Sequence, residues 1–232
     1  TAMTRSDDGV ENARALAALA HVNAELAMAV TDAVRLAASD LRRAAQQSAR
    51  LVGIAQAAPD GPVYQLRIAL ERARPPIWRR VVVPGGLSLY FLHKVIQSVM
   101  KWDGDHMHVF RISGLEVGDL EYAEGEWDLI DELDVTVADA AMASKGKFRY
   151  VYDFGDNWIH HITVEKTFPR QDGVTYPVCT GGRRACPPDD CGGIYGYYSF
   201  LEALADPDSE AHDRAVEWFG KDFDPEAFDA GA

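Results

Sequence analysis

Two stretches of this chain hold residue types that could do chemistry. The first, CTGGRRACPPDDCGG, contains all three cysteines, Cys179, Cys186 and Cys191, spaced C-x6-C-x4-C. Zinc favours thiolate and imidazole ligands in a closed tetrahedron, so three thiols this close could share one ion if a fourth ligand came from elsewhere. His160 is the nearest candidate for that fourth position. No C-x2-C pair occurs, however, and the Pro-Pro and Gly-Gly pairs could by themselves specify a rigid connector whose cysteines act as small buried hydrophobes. A zinc staple and a structural thiol loop both stay open, with a regulatory disulfide last.

The second stretch combines His106-Met107-His108 with YDFGDNWIHH over residues 152–161. His106, His108, Asp153, Asp156 and His160 would offer imidazole and carboxylate to Zn, Mn or Fe, and a hydrolytic site would also need an open coordination position for water. Against that reading, histidines alternate on strands often, and Asp and Asn beside Gly are ordinary turn chemistry. No phosphate-binding loop, dinucleotide fingerprint, zinc-protease helix or nucleophile elbow is present. His93 sits beside an apolar helical stripe and reads as a satisfied core histidine. The five tryptophans are scattered and read as core packing.

The elements that must position these groups follow from periodicity. Tyr64, Leu66, Ile68 and Leu70 alternate as in a half-buried strand, and a second strand, Ile77–Val83, stops at Pro84-Gly85-Gly86. Ser88 is placed to cap a helix running to Met100, with Leu89, Leu92, Ile96 and Val99 on its buried stripe. A strand over 106–112 would set His106, His108, Phe110 and Ile112 on one face. The acidic segment 116–139 reads mostly as loop, with a short helix over Val137–Ala143. Phe148–Phe154 and Trp158–Phe168 form a hairpin turning at Gly155-Asp156-Asn157. Beyond the cysteine loop the chain turns helical, with Asp206-Pro207 opening a helix to Trp218, Gly220 ending it, and a last turn at Asp224-Pro225. Strands in a run, then helices, give α+β with a largely antiparallel sheet packed by helices.

Upstream lies a different composition. Residues 9–57 are rich in Ala, Leu and Arg, lack Pro, and keep apolar residues at helical spacing, which predicts a long helix or helical hairpin. The break at Ala57-Ala58-Pro59-Asp60-Gly61-Pro62 divides the chain into an N-terminal helical region, 1–58, and an α+β domain, 59–232. The shallow alanine seam needs a partner surface, so self-association through residues 1–58 is expected.

The net charge of −13 lies wholly beyond residue 58. Residues 116–139 hold ten Asp or Glu and no Lys or Arg, while residues 67–80 hold five Arg against one Glu. This balance weighs against nucleic acid as partner, since such binding neutralises phosphates with cations. An acidic surface suits a basic protein partner instead. No run is long and apolar enough for a membrane span, and no signal-like start is seen. An odd cysteine count also argues against a secreted disulfide framework, so a cytoplasmic setting is expected.

Four motifs in order, Pro-Pro followed by Ile77-Trp78-Arg79-Arg80, His106-Met107-His108-Val109-Phe110, Tyr152 through His160, and ACPPDDCGG with Tyr195-Gly196-Tyr197, resemble the plasmid pRiA4b ORF-3-like family. The resemblance covers roughly residues 62–220. It implies an α+β domain encoded on plasmids, mobile elements and chromosomes, and it supplies no reaction. Some relatives carry the label of resolvase-like passenger proteins of insertion elements. A serine recombinase needs a nucleophilic Ser among arginines and a basic tail, whereas residues 202–229 hold ten acidic side chains against Arg214 and Lys221. The expectation is therefore a non-enzymatic accessory or interaction module, with zinc in the cysteine loop as its one candidate cofactor. The alternative is a metal-dependent hydrolase or nuclease built on the His/Asp set.

Overall fold

The computed structural model describes residues 61–120 and 128–230. The chain divides into two units, Thr1–Ala55 and Gln56–Ala232, and the second holds all of the described residues. The expected N-terminal helix, and self-association through residues 1–58, fall outside them.

The described residues form an α+β domain with an eight-stranded sheet in the order β5-β4-β3-β6-β7-β1-β2-β8. Its strands are β1 (Val63–Leu70), β2 (Trp78–Pro84), β3 (His108–Ile112), β4 (Leu115–Gly118), β5 (Leu129–Asp131), β6 (Lys147–Tyr152), β7 (Trp158–Phe168) and β8 (Val178–Arg183). Every pairing is antiparallel except β4 with β5. The helices are α1 (Leu89–Met100), α2 (Val137–Ala143), α3 (Gly193–Ala205) and α4 (His212–Phe219).

Strand periodicity decides what faces the core. Register sets Phe148, Tyr150 and Tyr152 of β6 opposite Ile162, His160 and Trp158 of β7, and His160 and Ile162 opposite Leu70 and Ile68 of β1. All of these are buried, and with Phe110 and Leu66 they make one apolar face. Helix α1 covers it with Leu89, Leu92, Ile96 and Met100, each at most 1% exposed. Burying side chains of this size contributes roughly 1.5–3 kcal/mol apiece.

That covered face carries a polar strip. His93 of α1 stacks on His108 of β3 with ring centres 3.7 Å apart, and the Nε2 of His108 meets a Glu132 oxygen at 2.7 Å. The Tyr150 hydroxyl accepts from the Gln97 amide at 2.8 Å and lies 2.7 Å from Nδ1 of His93. A Tyr150 proton donated to Nδ1 would fit the neutral Nε2–H tautomer of His93. Burial, and then the neighbouring His108 and Lys94, push its pKa down to about 2. His93 is a satisfied core histidine, as its position beside the stripe suggests.

Ser88 stands at the N-cap of α1, but its side chain makes no cap bond. Carbonyls of Val135 and Glu132 take the amides of Leu89 and Tyr90 instead. The free first-turn amides of a helix need acceptors, and here the loop ahead of α2 supplies them. Three further boundaries differ from expectation. Part of the acidic segment is strand, β4 and β5. Strand β8 carries Cys179 at a sheet edge despite Gly181-Gly182, which weaken a strand signal. Asp206 does not open α4: it ends α3, its side chain accepts the Asp208 amide at 3.2 Å, and α4 starts at His212.

Candidate functional site

The same strand ends that frame the core bring three ligand types together at one edge. His106 precedes β3, Asp153 follows β6 directly, and Asp189 lies in the loop between β8 and α3. Their nearest ligand atoms all lie within 4.8 Å of one another, and this is the one such group of three among the described residues. Asp190 adds a carboxylate, with Oδ1 3.1 Å from Nε2 of His106.

Local structure fixes each donor. The Asp153 amide donates to the Met107 carbonyl at 2.9 Å, joining the end of β6 to the approach to β3. Asp153 turns with a positive φ of 52°, and its Oδ1 accepts the Gly155 amide at 2.9 Å, a local turn that Asp tolerates well. The Tyr152 hydroxyl donates to Oδ2 of Asp189 at 3.0 Å. Trp102 stacks on Tyr152 and donates its indole N–H to the Pro187 carbonyl at 2.8 Å, holding the loop against the sheet.

The electrostatics follow from crowding. Burial opposes protonation of His106, but the fields of Asp153, Asp190 and Asp189 outweigh it and raise its pKa. Burial lifts the Asp189 carboxyl above its ordinary value, against the Tyr152 hydroxyl and His106, which lower it.

The other candidates are placed apart. His108 is not beside His106, because β3 begins at His108 and His106 lies in the preceding loop; His108 turns inward to Glu132. His160 is fully buried between strands, edge-on to Trp102. Neither of its ring nitrogens meets a partner in hydrogen-bond geometry among the described residues. Burial pushes its pKa down to about 3, although the nearby carbonyls of Trp158 and Tyr150 act in the opposite sense. Asp156 has a separate task, accepting the Gly192 amide at 3.0 Å. At Gly193, whose φ is +66°, a Cβ would stand 2.4 Å from the Asp156 carbonyl, and at Gly196 one would stand 1.9 Å from the Cys191 carbonyl. Only glycine allows these approaches.

The cysteines do not gather. All three are free, and no three of Cys179, Cys186, Cys191 and His160 form a ligand group. Cys186 accepts from Arg79 at 2.8 Å and faces Met100 sulfur at 3.2 Å, while Cys191 points to the Gly193 carbonyl. Burial pushes the Cys186 thiol up to about 11, against Arg79 and Lys101, and the Cys191 thiol up to about 12, aided by Asp156. Cys191 belongs to the apolar core and Cys186 packs against it.

Two functions of the motifs escape a reading of residue types. Arg79 is 5% exposed and donates to the carbonyls of Val99, Trp78 and Arg183 as well as to Cys186. It thereby ties the last turn of α1 to two strands and the cysteine loop. Asp189, for its part, is hidden in sequence by the cysteines that flank it. The signal available was a pair of carboxylates set immediately after a rigid Pro-Pro.

Pro187 and Pro188 of the same loop also line a cleft of about 1000 Å³. Phe91, Val95 and Val99 of α1 form one wall, Phe223 and Phe228 of the C-terminal segment another, and Pro187 a third. Lys94 and Lys101, on α1 and at its C-cap, and Asp222, Asp224 and Asp229 of the C-terminal segment add charge to its lining. No helix among the described residues is long and apolar enough to cross a membrane.

Comparison with known proteins places this architecture. A family model for plasmid pRiA4b ORF-3-like protein matches residues 62–232. The uncharacterized protein y4hQ of Sinorhizobium fredii (strain NBRC 101917 / NGR234) is 40% identical over 169 residues, 71% of this chain and 85% of that protein. The crystal structure of MM3350 from Methanosarcina mazei Go1, a protein of unknown function, superposes with a TM-score of 0.68 at 40% identity, over 73% of this chain and 96% of that one.

Proposed function

The chain belongs to the plasmid pRiA4b ORF-3-like family, and on that premise we propose that it works as a non-enzymatic interaction module of this mobile-element-associated family, holding a basic, amphipathic segment of a protein partner. The observation that carries this reading is the cleft. Its volume of about 1000 Å³ and its aromatic and aliphatic walls suit the apolar face of a short helix.

Charge selects the partner. The ten acidic side chains between Glu202 and Asp229 are all exposed, with Arg214 and Lys221 as the cations among them, and three of the ten, Asp222, Asp224 and Asp229, line the cleft. A basic segment is favoured over an acidic one by this field. Cytoplasmic residence and self-association through residues 1–58 belong to the same proposal.

A hydrolase or nuclease is the second reading, and His106 together with Asp153 is what supports it. His108 and His160 lie in the core and Asp156 accepts the Gly192 amide, so that reading retains two of its five residues.

Three peptides of matched apolar content and strongly basic, neutral or acidic charge test the main reading by fluorescence anisotropy. The basic peptide binds the full chain, more weakly as salt rises, and Phe91→Asp abolishes binding while leaving the circular dichroism spectrum unchanged. Equal binding of all three peptides, or of none, overturns the reading.

A further inference from the structure

We infer that His106, Asp153 and Asp189 form a binding site for one divalent transition-metal ion of the Zn²⁺ or Mn²⁺ class, which clamps the Pro187–Asp190 loop to the ends of β3 and β6. This inference stands apart from the partner-binding reading: none of the three ligands lines the cleft, and the two sites are tested separately.

The donor set comes first. One imidazole nitrogen with two carboxylate oxygens suits a borderline divalent ion better than an all-oxygen Ca²⁺ or Mg²⁺ cage or a thiolate site. Ligands about 2.0–2.2 Å from an ion sit roughly 3–3.5 Å from one another. The three donors already lie within 4.8 Å, so modest side-chain movement closes the set.

Charge points the same way. Asp153, Asp189 and Asp190 surround a single imidazole, and among the described residues none of the three forms an ion pair with Lys or Arg. Asp153 is 7% exposed, and a carboxylate so buried normally has a cation or several donors against it. Its Oδ1 accepts the Gly155 amide, and the His106 ring feels its charge. A dication at the group would supply the missing positive charge.

The supporting contacts are those a ligand shell requires. Asp153 is oriented by the Gly155 amide, Asp189 by the Tyr152 hydroxyl on Oδ2 and the Asp190 amide on Oδ1, and His106 by Asp190 at Nε2; the carboxylate oxygens and Nδ1 of His106 keep lone pairs for the ion. The side chain of His106 is 32% exposed, which gives solvent access. Three protein ligands with an open fourth position would leave room for water or a partner's side chain. Because Pro187 and Pro188 line the cleft and directly precede Asp189, an ion there also stiffens one cleft wall.

The test uses the full chain, stripped with a chelator and titrated calorimetrically with ZnCl₂ and separately with MnCl₂. One ion binds per chain, and the melting temperature rises with it. His106→Gln and Asp189→Asn each weaken binding at least about tenfold, since even losing an orienting partner of a metal ligand costs about 10–100-fold. Both variants retain the parent circular dichroism spectrum, and Cys179→Ser and Cys186→Ser leave binding unchanged. If neither ion binds, if affinity is the same in His106→Gln and Asp189→Asn, or if the cysteine variants lose the metal instead, the inference falls.

Discussion

His106 and His108 are separated by one residue and meet opposite surroundings. His108 is sealed at 8% exposure between His93 and Glu132, whereas His106 opens to solvent among three aspartates. Both regions combine imidazole, carboxylate and tyrosine. In the first, each group has a protein partner and the strip fastens α1 to the sheet; in the second, negative charge exceeds its partners. The contrast teaches that donor types do not define a site. What matters is whether the fold already satisfies them.

The contrast can be broken most severely with acid. His93 and His160 are held neutral, with folded pKa values of about 2 and about 3, below the unfolded value near 6.5. Between those limits the unfolded chain binds more protons, so stability is complete above pH 6.5 and falls as pH drops towards 3. The two groups together account for a loss of about 4 kcal/mol by pH 5, measurable by urea denaturation across that range. His160→Phe should remove about half of that slope; an unchanged slope would mean that His160 is not buried as a neutral ring.

Next in size is Glu132→Ala, which strips the carboxylate from buried His108 and should destabilise by roughly 3 kcal/mol or more. Metal affinity in that variant should be unaltered, since Glu132 serves the sealed strip alone. Smallest is His106→Gln without metal. Its contact with Asp190, whose side chain is 62% exposed, is a surface pair worth at most about 1 kcal/mol. A metal-free loss as large as that of Glu132→Ala would erase the distinction between the two regions.

Much of the fold was legible because periodicity reports burial. The alternation of Leu66, Ile68 and Leu70, the stripe of Leu89, Leu92 and Ile96, and the Trp158–Phe168 strand all appear where the pattern puts them. Alternation failed at His106, since the period-two rule applies only inside a strand and β3 begins two residues later. Strand β8 was hidden by its glycines. The site was half legible: His106 and Asp153 were singled out from their types, but Asp189 was overshadowed by the thiols around it. Long-range neighbours such as Asp189 and Tyr152, 37 residues apart, leave no local signature.

Anomalous diffraction from crystals grown with Zn²⁺ tests the central claim most directly. The account predicts one strong peak bounded by His106, Asp153 and Asp189, with the three cysteine sulfurs metal-free. A peak among Cys179, Cys186 and Cys191, or none at the histidine-aspartate group, would contradict it.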